Sequence, residues 1–251
     1  MKTKCILSIL FSITLITTTA QLPATEVVKA KGGDIVIQPI KHATMVLSFK
    51  NMCLYVDPTG GADAFKGLQA PDMIVITDIH GDHMDPKTIE AINSKNATLI
   101  VPQAVADKLP ATIDKQKIVV LNNGDKKTLE GIIFEAIPMY NLPEEANAPH
   151  TKGRGNGYVL TIGGKRMYIS GDTEDIEEMR TLKNIDVAFV CMNLPYTMDV
   201  TQAASGVLAF KPKVIIPYHY RGQDVNVFKK LVNEGNKDIE VKLLEWYPMA
   251  K

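Results

Sequence analysis

The feature that most constrains the fold is a pattern of strands and helices that occurs twice along the chain. Each half begins with three short runs of apolar and β-branched residues, over residues 34–57 and again over residues 131–170. In each half, strand-like runs that alternate with helical patterns then follow. Short connections favour antiparallel neighbours, whereas helical crossovers favour parallel ones. The pattern predicts an α/β protein with two mixed sheets packed face to face and helices outside, a four-layer αββα sandwich.

The size and charge of the chain are compatible with one such sandwich. A chain of 251 residues can form it as one domain, and we predict that this domain spans residues 21–251. There is no obvious sequence repeat and no low-complexity linker. The 28 basic and 28 acidic residues give a formal net charge of zero, so the composition does not support binding to nucleic acid.

The first twenty residues differ from the rest of the chain. Two lysines precede the short apolar run 6–16, and a small residue, Ala20, follows it. This arrangement is typical of a secretory signal peptide, here residues 1–20, and the apolar run is short for a membrane span. We therefore predict cleavage near Ala20 and a periplasmic or secreted protein without a transmembrane span in the mature chain. An uncleaved N-terminal anchor is the alternative. Of the three cysteines, Cys5 would leave with the signal, and we expect Cys53 and Cys191 to be buried thiols.

The segment TDIHGDHMDP, residues 77–86, concentrates potential metal ligands directly after an apolar strand-like run. These ligands are Asp78, His80, Asp82 and His83. On an extended segment the side chains of residues 78, 80 and 82 point to the same side, and Gly81 allows a turn that brings His83 to them. Imidazole and carboxylate ligands suit zinc, manganese or iron, whereas two histidines argue against calcium. The alternative is an ordinary acidic loop.

Further ligand types stand at or near the ends of later strand-like runs. Asp172 follows the run KRMYIS, His219 ends KVIIPYH, and His150 precedes a glycine-rich stretch. A lone histidine in a loop is more often a surface residue, but the ends of strands in α/β folds converge at sites. We therefore treat these residues as candidate ligands. His42, which lies between the first two strands, is either a structural residue or a support for a ligand.

These motifs together resemble a known family. The order xHxDH, GDT and PYHY resembles the metallo-β-lactamase-fold hydrolases. The resemblance is closest to the branch that contains ascorbate-6-phosphate lactonase-like and N-acylphosphatidylethanolamine phospholipase-like proteins. It extends from PIKHATMVLSF to IPYHY and implies an αββα sandwich with two metal ions at the sheet edges. His80 then matches the second histidine of the family motif HxHxDH, and Asp82 and His83 match its DH. Asp172 matches the bridging aspartate and His219 the last histidine.

The sequence departs from the family pattern at two positions. Asp78 stands where the motif has its first histidine, and Asn141 stands where many relatives have a middle histidine. His150, nine residues later, is interpreted as the replacement for that histidine. Asn141 would be a poor zinc ligand, although it can hydrogen-bond to one.

The resemblance implies two ligand sets that share Asp172. One metal would be bound by Asp78, His80, His150 and Asp172, and the other by Asp82, His83, Asp172 and His219. We predict two divalent ions, with zinc preferred; the additional carboxylate of Asp78 leaves manganese or iron as options.

The function implied by this site is metal-dependent hydrolysis. A hydroxide between the metals would attack an ester, a lactone or a phosphodiester, with Asp82 and Asp172 as catalytic residues. Asp82 either accepts the proton or serves only as a ligand. Asn193 and Tyr196, in the loop NLPYTM, are candidate contacts for a small-molecule or lipid-like substrate, although this loop can equally be a structural turn at Pro195.

Two other classes of function stay open on the sequence. One is an iron-dependent redox enzyme on the same fold, which the lack of a flavin domain makes less favoured. The other is a metal-binding module with a degenerate site. A β-lactamase proper is disfavoured, because DxHxDH and NLPYTM do not match that branch well. The substrate and the oligomeric state cannot be read from the chain.

Overall fold

Two seven-stranded sheets form the structure, a computed structural model that describes residues 22–248. The predicted signal peptide over residues 1–20 lies outside the described residues. In the first sheet the strands follow one another in chain order: β1 (Glu26–Ala30), β2 (Gly33–Lys41), β3 (Thr44–Phe49), β4 (Met52–Val56), β5 (Met73–Val75), β6 (Thr98–Val101) and β7 (Ile118–Val120). Strands β1 to β4 pair antiparallel, and β4 to β7 pair parallel.

The second sheet repeats this arrangement. Its strands are β8 (Lys126–Leu129), β9 (Ile132–Met139), β10 (Gly155–Ile162), β11 (Lys165–Ile169), β12 (Val187–Cys191), β13 (Val214–Tyr218) and β14 (Glu240–Val241). Strands β8 to β11 pair antiparallel, and β11 to β14 pair parallel. Five helices occupy the connections: α1 (Pro86–Ala91), α2 (Gln103–Ala106), α3 (Glu177–Arg180), α4 (Val200–Phe210) and α5 (Val225–Gly235). The predicted pair of mixed sheets is therefore confirmed.

The period of two in the strands of the first sheet divides its side chains between two cores. Leu54 and Val56 of β4 belong to the core shared with the second sheet, whereas Cys53 and Tyr55 belong to a second core. That second core also contains Ile89 of α1 and Val105 of α2. Since successive side chains of a strand point to opposite faces, an apolar run without alternation predicts a strand that is covered on both faces.

The edge strands β1 and β8 were not predicted from the sequence. In β1 partly buried and exposed residues alternate, whereas the residues of β8, KKTL, are mostly exposed and show no apolar alternation. Their extended conformation comes from pairing with β2 and β9. A strand of this kind is defined by its neighbour rather than by its own burial.

The structure also bears on the predicted state of the cysteines and on the predicted lack of a membrane span. Cys53 and Cys191 are both buried and free, as predicted. None of the helices within residues 22–248 combines the length and the apolarity needed to span a membrane.

Candidate metal centre

The candidate ligands converge where the two sheets meet at the carboxyl ends of their parallel strands. In the first sheet, Asp57 follows β4 and the segment 77–83 follows β5. In the second sheet, Asp172 follows β11 and His219 follows β13. The sheets are joined at this edge by a hydrogen bond of 2.9 Å from the Asn156 backbone N–H to the Thr77 carbonyl oxygen. The topology therefore brings together residues that lie far apart along the chain.

Asp172 lies at the centre of three imidazoles. Its Oδ2 is 3.2 Å from His83 Nε2 and 3.1 Å from His150 Nε2. Its Oδ1 is 3.4 Å from His219 Nε2. All four side chains are buried. This arrangement is the one expected of a carboxylate that is shared between two ligand sets.

A second group surrounds Asp78, the residue that replaces a histidine of the family motif. Asp78 Oδ2 lies 2.7 Å from His80 Nδ1 and 3.9 Å from His150 Nε2. Arg154 contacts both carboxylate oxygens, with Nε at 3.3 Å from Oδ1 and Nη2 at 3.2 Å from Oδ2. Arg154 was not singled out in the sequence, although it lies in the glycine-rich stretch after His150. Its charge offsets the negative charge that an aspartate introduces at a histidine position.

A third group surrounds Asp82 on the side of the first β-hairpin. Asp82 Oδ2 is 3.1 Å from His42 Nε2 and 3.4 Å from His219 Nε2. The rings of His42 and His219 contact each other at an angle of 34°, with centroids 3.7 Å apart. The Tyr247 hydroxyl lies 2.6 Å from His42 Nδ1; in the tautomer in which this hydroxyl donates to Nδ1, a neutral His42 carries its proton on Nε2, the atom that faces Asp82. His42 therefore contacts a candidate ligand, and its role as a support for that ligand stays a prediction.

Asn141 and Asp57 hold two of the imidazoles through their Nδ1 atoms. Asn141 Oδ1 accepts a hydrogen bond from the His150 backbone N–H at 2.7 Å and lies 3.1 Å from His150 Nδ1. Asp57 Oδ2 lies 2.9 Å from His83 Nδ1 and is fully buried. A proton held on Nδ1 leaves the lone pair of Nε2 free for a metal. Asn141 thus contacts the Nδ1 side of His150, whose Nε2 faces Asp172; that His150 replaces the middle histidine stays a prediction.

Asp57 was missed as a functional residue by the sequence analysis. In the sequence it begins the turn Asp57-Pro58-Thr59-Gly60-Gly61, which explains its residue type without any site. The available signal was its position directly after the apolar run MCLYV, at the same sheet edge as residue 78. Its backbone lies in the left-handed region, with φ of 46°, as does that of His219, with φ of 47°. Non-glycine residues in this region are uncommon and concentrate at functional sites.

The electrostatics of the site favour ionised carboxylates. Burial alone would raise the pKa of Asp172, yet the nearby imidazoles of His219 and His83 hold that pKa well below its usual range. Burial also opposes ionisation of Asp82, but contacts with His219 and His42 lower its pKa. For His42 the dominant effect is burial, which lowers its pKa and keeps the imidazole neutral. Asp172 and Asp82 are therefore favoured as anions, whereas complete burial raises the pKa of Asp57.

Several buried nitrogen and oxygen atoms at this site have no hydrogen-bond partner in the described part of the chain, as expected of residues that bind a metal ion. His83 Nε2, Asp172 Oδ1 and His219 Nε2 are buried and have no hydrogen-bond partner among residues 22–248. Buried polar atoms are nearly always paired, so such a cluster requires an explanation. The potential ligand atoms of His83, Asp172 and His219 all lie within 4.8 Å of one another, as do those of Asp78, His80 and His150. Nitrogen and oxygen donors at this spacing suit a divalent transition metal.

Close backbone packing positions the central carboxylate. Gly171, directly before Asp172, has φ of 61°, and a Cβ there would lie 3.1 Å from the Asn156 carbonyl oxygen and 2.6 Å from Met139 Sδ. Only glycine combines this conformation with this close approach. The glycine of the GDT motif thus lets β11 end against β9 and β10.

A cavity of about 430 Å³ opens over the candidate ligands. Its lining residues are His80, Asp82, Pro149, His150, Asp172, Asn193, Leu194, Tyr196 and Arg221. This volume lies in the range of small-molecule sites. Both candidate substrate residues, Asn193 and Tyr196, therefore lie at the cavity. A larger cleft, of about 730 Å³, is lined by turn residues such as Asn51 and Gly163 at the opposite ends of the strands, away from the candidate ligands.

Comparisons with known proteins agree with this geometry. The family described as Beta-lactamase superfamily domain matches residues 36–219. A UPF0173 metal-dependent hydrolase from Staphylococcus carnosus is 31% identical over 214 residues, which cover 79% of this chain and 93% of that protein. Another from Pyrococcus abyssi is 27% identical over 216 residues, or 80% of this chain and 93% of that protein.

A solved structure gives the same result for the fold. The crystal structure of a candidate metal-dependent hydrolase from Parabacteroides distasonis is 37% identical, with a TM-score of 0.81, and the match covers 90% of this chain and 100% of that one. With a family match over residues 36–219 and with these relatives, the chain belongs to the beta-lactamase superfamily and, within it, to the family of the UPF0173 metal-dependent hydrolases.

Proposed function

We propose that this chain is a hydrolase with two metal ions that share Asp172. The observation that carries the proposal is the convergence of three imidazole Nε2 atoms on the two oxygens of one buried carboxylate, at 3.1 to 3.4 Å. The possible ligands also form separate groups, with Asp78, His80 and His150 in one and His83, Asp172 and His219 in another. The first ion would be bound by Asp78, His80, His150 and Asp172, and the second by Asp82, His83, Asp172 and His219. Zinc is the preferred ion, with manganese or iron as options because of the carboxylate of Asp78.

When bound, such ions lower the pKa of water to about 7 and neutralise negative charge that develops on the attacked group. The protein residues supply the other parts of the mechanism. His42 holds Asp82 through Oδ2, while Asp82 Oδ1 is left without a short contact, 3.9 Å from His83 Nε2. Asp82 Oδ1 is thus the atom placed to accept a proton from the attacking water and return it to the leaving group.

The substrate in this proposal is an ester, a lactone or a phosphodiester, either a small molecule or lipid-like, bound in the cavity beside Asn193 and Tyr196. The lactonase-like and phospholipase-like branch is part of the same proposal. We also propose export, with cleavage near Ala20, on the basis of the sequence of residues 1–20. N-terminal sequencing of the protein recovered from periplasmic and culture fractions tests this point, and Gln21 is the expected first residue.

Metal analysis of purified protein, combined with a hydrolysis panel of carboxylic esters, lactones and phosphodiesters, tests the function. We expect about two equivalents of divalent metal in the wild type and turnover that is lost in Asp172→Ala. The matched control is Asp238→Ala, an exposed aspartate before β14. Unchanged turnover in Asp172→Ala would contradict the shared role of this residue. Bound iron with oxygen consumption and without hydrolysis would instead indicate the redox alternative.

His150→Ala tests the interpretation that His150 replaces the missing histidine. We expect loss of one metal equivalent, because the first ligand set would keep only one imidazole. Metal content equal to that of the wild type would show that His150 is a loop residue without a role as a ligand.

A further inference from the structure

The loops around the cavity expose apolar side chains. Among residues 22–248, the large apolar residues that are most exposed are Val27, Leu142, Leu194, Tyr196 and Val227. Three of these five, Leu142, Leu194 and Tyr196, lie in two loops near the candidate metal centre, with 42%, 49% and 53% of their surface accessible; Leu194 and Tyr196 line the cavity, and Leu142 follows Asn141 in the neighbouring loop. Apolar residues grouped in this way, next to a polar site, mark a surface that contacts a ligand.

The two loops form one continuous rim. Asn141, which precedes Leu142, donates a hydrogen bond of 2.7 Å from Nδ2 to the Tyr196 carbonyl oxygen. The same amide contacts Glu174 Oε1 at 3.1 Å and holds His150 through its Oδ1 atom. Asn141 therefore links the loop of Tyr196 to His150, a candidate ligand, and fixes the position of the apolar rim relative to the candidate metal centre.

The cavity also contains a cation without a partner. The chain has four arginines, and three of them pair with carboxylates: Arg154 with Asp78, Arg166 with Glu135, and Arg180 with Asp175. Arg221, two residues after His219, is an exposed residue at the cavity, and no described carboxylate lies within 4.0 Å of it. A guanidinium presents a planar set of donors that matches a carboxylate or a phosphate.

The inner wall of the cavity offers a further polar group. Asn193 is buried and lines the cavity, and its backbone is held by Thr197, whose Oγ1 accepts from the Asn193 N–H at 2.7 Å. Its side-chain amide makes no hydrogen bond to any other residue in the described part of the chain. An amide and a guanidinium in the lining of one cavity both offer N–H donors to the oxygens of an anionic group.

We propose that the cavity selects an anionic amphiphile, whose charged group lies at Arg221 and whose apolar part lies on Leu194, Tyr196 and Leu142. This inference rests on the proposed function and narrows its substrate class to esters that carry both a negative charge and an apolar chain. A neutral ester would make no ionic contact with Arg221, which is exposed to solvent, and a small anion would leave the apolar rim uncovered. Arg221 and Tyr196 are thus specificity-determining residues for the same reaction.

Binding of three matched probes to the metal-loaded protein tests the proposal by calorimetry. The probes are decyl phosphate, decanol, which has the chain without the charge, and inorganic phosphate, which has the charge without the chain. We expect decyl phosphate to bind more tightly than either of the others. Arg221→Gln should weaken decyl phosphate by about tenfold, the effect of losing one partly solvated charged hydrogen bond, and should leave decanol unchanged.

Tyr196→Ser should weaken decyl phosphate by about fivefold or more, through the apolar area that is no longer covered, and should leave inorganic phosphate unchanged. The matched controls are Lys229→Gln and Val227→Ser on α5, which remove an exposed charge and an exposed apolar side chain away from the cavity. Equal binding of decyl phosphate by wild type, Arg221→Gln and Tyr196→Ser would overturn the proposal. An equal loss of decyl phosphate binding in the control variants would also overturn it.

Two further experiments distinguish a membrane lipid from a free amphiphile, and failure of the proposed activity from failure of the proposed specificity. Sedimentation with phosphatidylcholine vesicles, with and without phosphatidylglycerol, identifies a membrane lipid if binding needs both the anionic lipid and Arg221. Binding of decyl phosphate without sedimentation identifies a free amphiphile, and both results support the shared chemistry. If no ester in the panel is hydrolysed but the probes still bind in an Arg221-dependent manner, the proposed activity alone is refuted. If esters are hydrolysed but Arg221→Gln affects neutral and anionic esters equally, this inference alone is refuted.

Discussion

Asp57→Asn tests whether the carboxylate behind His83 prepares that imidazole for a metal ion. Asp57 is fully buried and lies against three donors: the Thr77 backbone N–H at 2.7 Å from Oδ1, the Thr77 hydroxyl at 2.7 Å from Oδ2, and His83 Nδ1 at 2.9 Å from Oδ2. The asparagine has the same shape and can keep the first contact. Its NH2 group would replace Oδ2 and face His83 Nδ1, so that two donors would oppose each other. The imidazole can avoid this only by moving its proton to Nε2, the atom that faces Asp172.

The size of the effect follows from the contact that is lost. A hydrogen bond to a charged group contributes about 1.5–3 kcal/mol, and each 1.4 kcal/mol corresponds to about a tenfold change in affinity. We therefore expect metal affinity at the His83 set to fall by roughly 10- to 100-fold, which is the usual effect of removing the partner of a ligand histidine. The set of Asp78, His80 and His150 does not contact Asp57 and should keep its affinity.

Competition between the protein and a chromophoric chelator measures this effect. Zinc should titrate in two steps in Asp57→Asn, one near the wild-type affinity and one weakened. Asp238→Asn, which neutralises an exposed aspartate, is the matched control and should behave as the wild type. Two unchanged steps in Asp57→Asn, or an equal weakening of both steps, would refute the assigned role of Asp57.

Three further substitutions test other parts of the centre. Arg154→Gln should lower the free energy of unfolding by about 2 kcal/mol in the presence of a chelator, because buried Asp78 loses its guanidinium partner. Urea denaturation should show a smaller loss when metal is bound. Equal losses with and without metal would contradict the role of Arg154 in offsetting the charge of Asp78. Gly171→Ala should cost about 1–3 kcal/mol through its left-handed φ and the contact with Met139, and a wild-type melting temperature would argue against this packing. Tyr247→Phe should cost about 1 kcal/mol and lower kcat more than it raises KM, because His42 loses the hydroxyl that directs its Nε2 proton to Asp82; unchanged kcat on the most active panel substrate would exclude that relay.

Much of the fold could be read from the sequence because its central strands are buried on both faces. The runs MIVIT and VAFVCM are continuous and apolar, and they became β5 and β12. Asp85 followed by Pro86 predicted the start of α1, and Asp85 accepts the Lys87 backbone N–H at the predicted N-cap. The edge strands β1 and β8 could not be predicted in this way, since pairing and not burial makes them strands.

The candidate ligands could be found because their residue types and their positions at strand ends are both visible along the chain. Asp78, His80, Asp82, Asp172 and His219 needed no coordinates to be singled out. Their assignment to two metal ions is still a prediction that metal analysis must test.

The supporting roles of Asp57, Arg154 and Tyr247 could not be assigned from the sequence, because each residue acts through a contact that the chain does not encode locally. Asp57 lies 26 positions before His83, Arg154 lies 76 positions after Asp78, and Tyr247 lies 205 positions after His42. Local sequence determined which segments become strands and which chemical groups stand at their ends, since burial and side-chain alternation act over a few residues. Only the packing of the two sheets decided which of these groups meet, because hydrogen bonds and ion pairs act over a few ångströms whatever the distance along the chain.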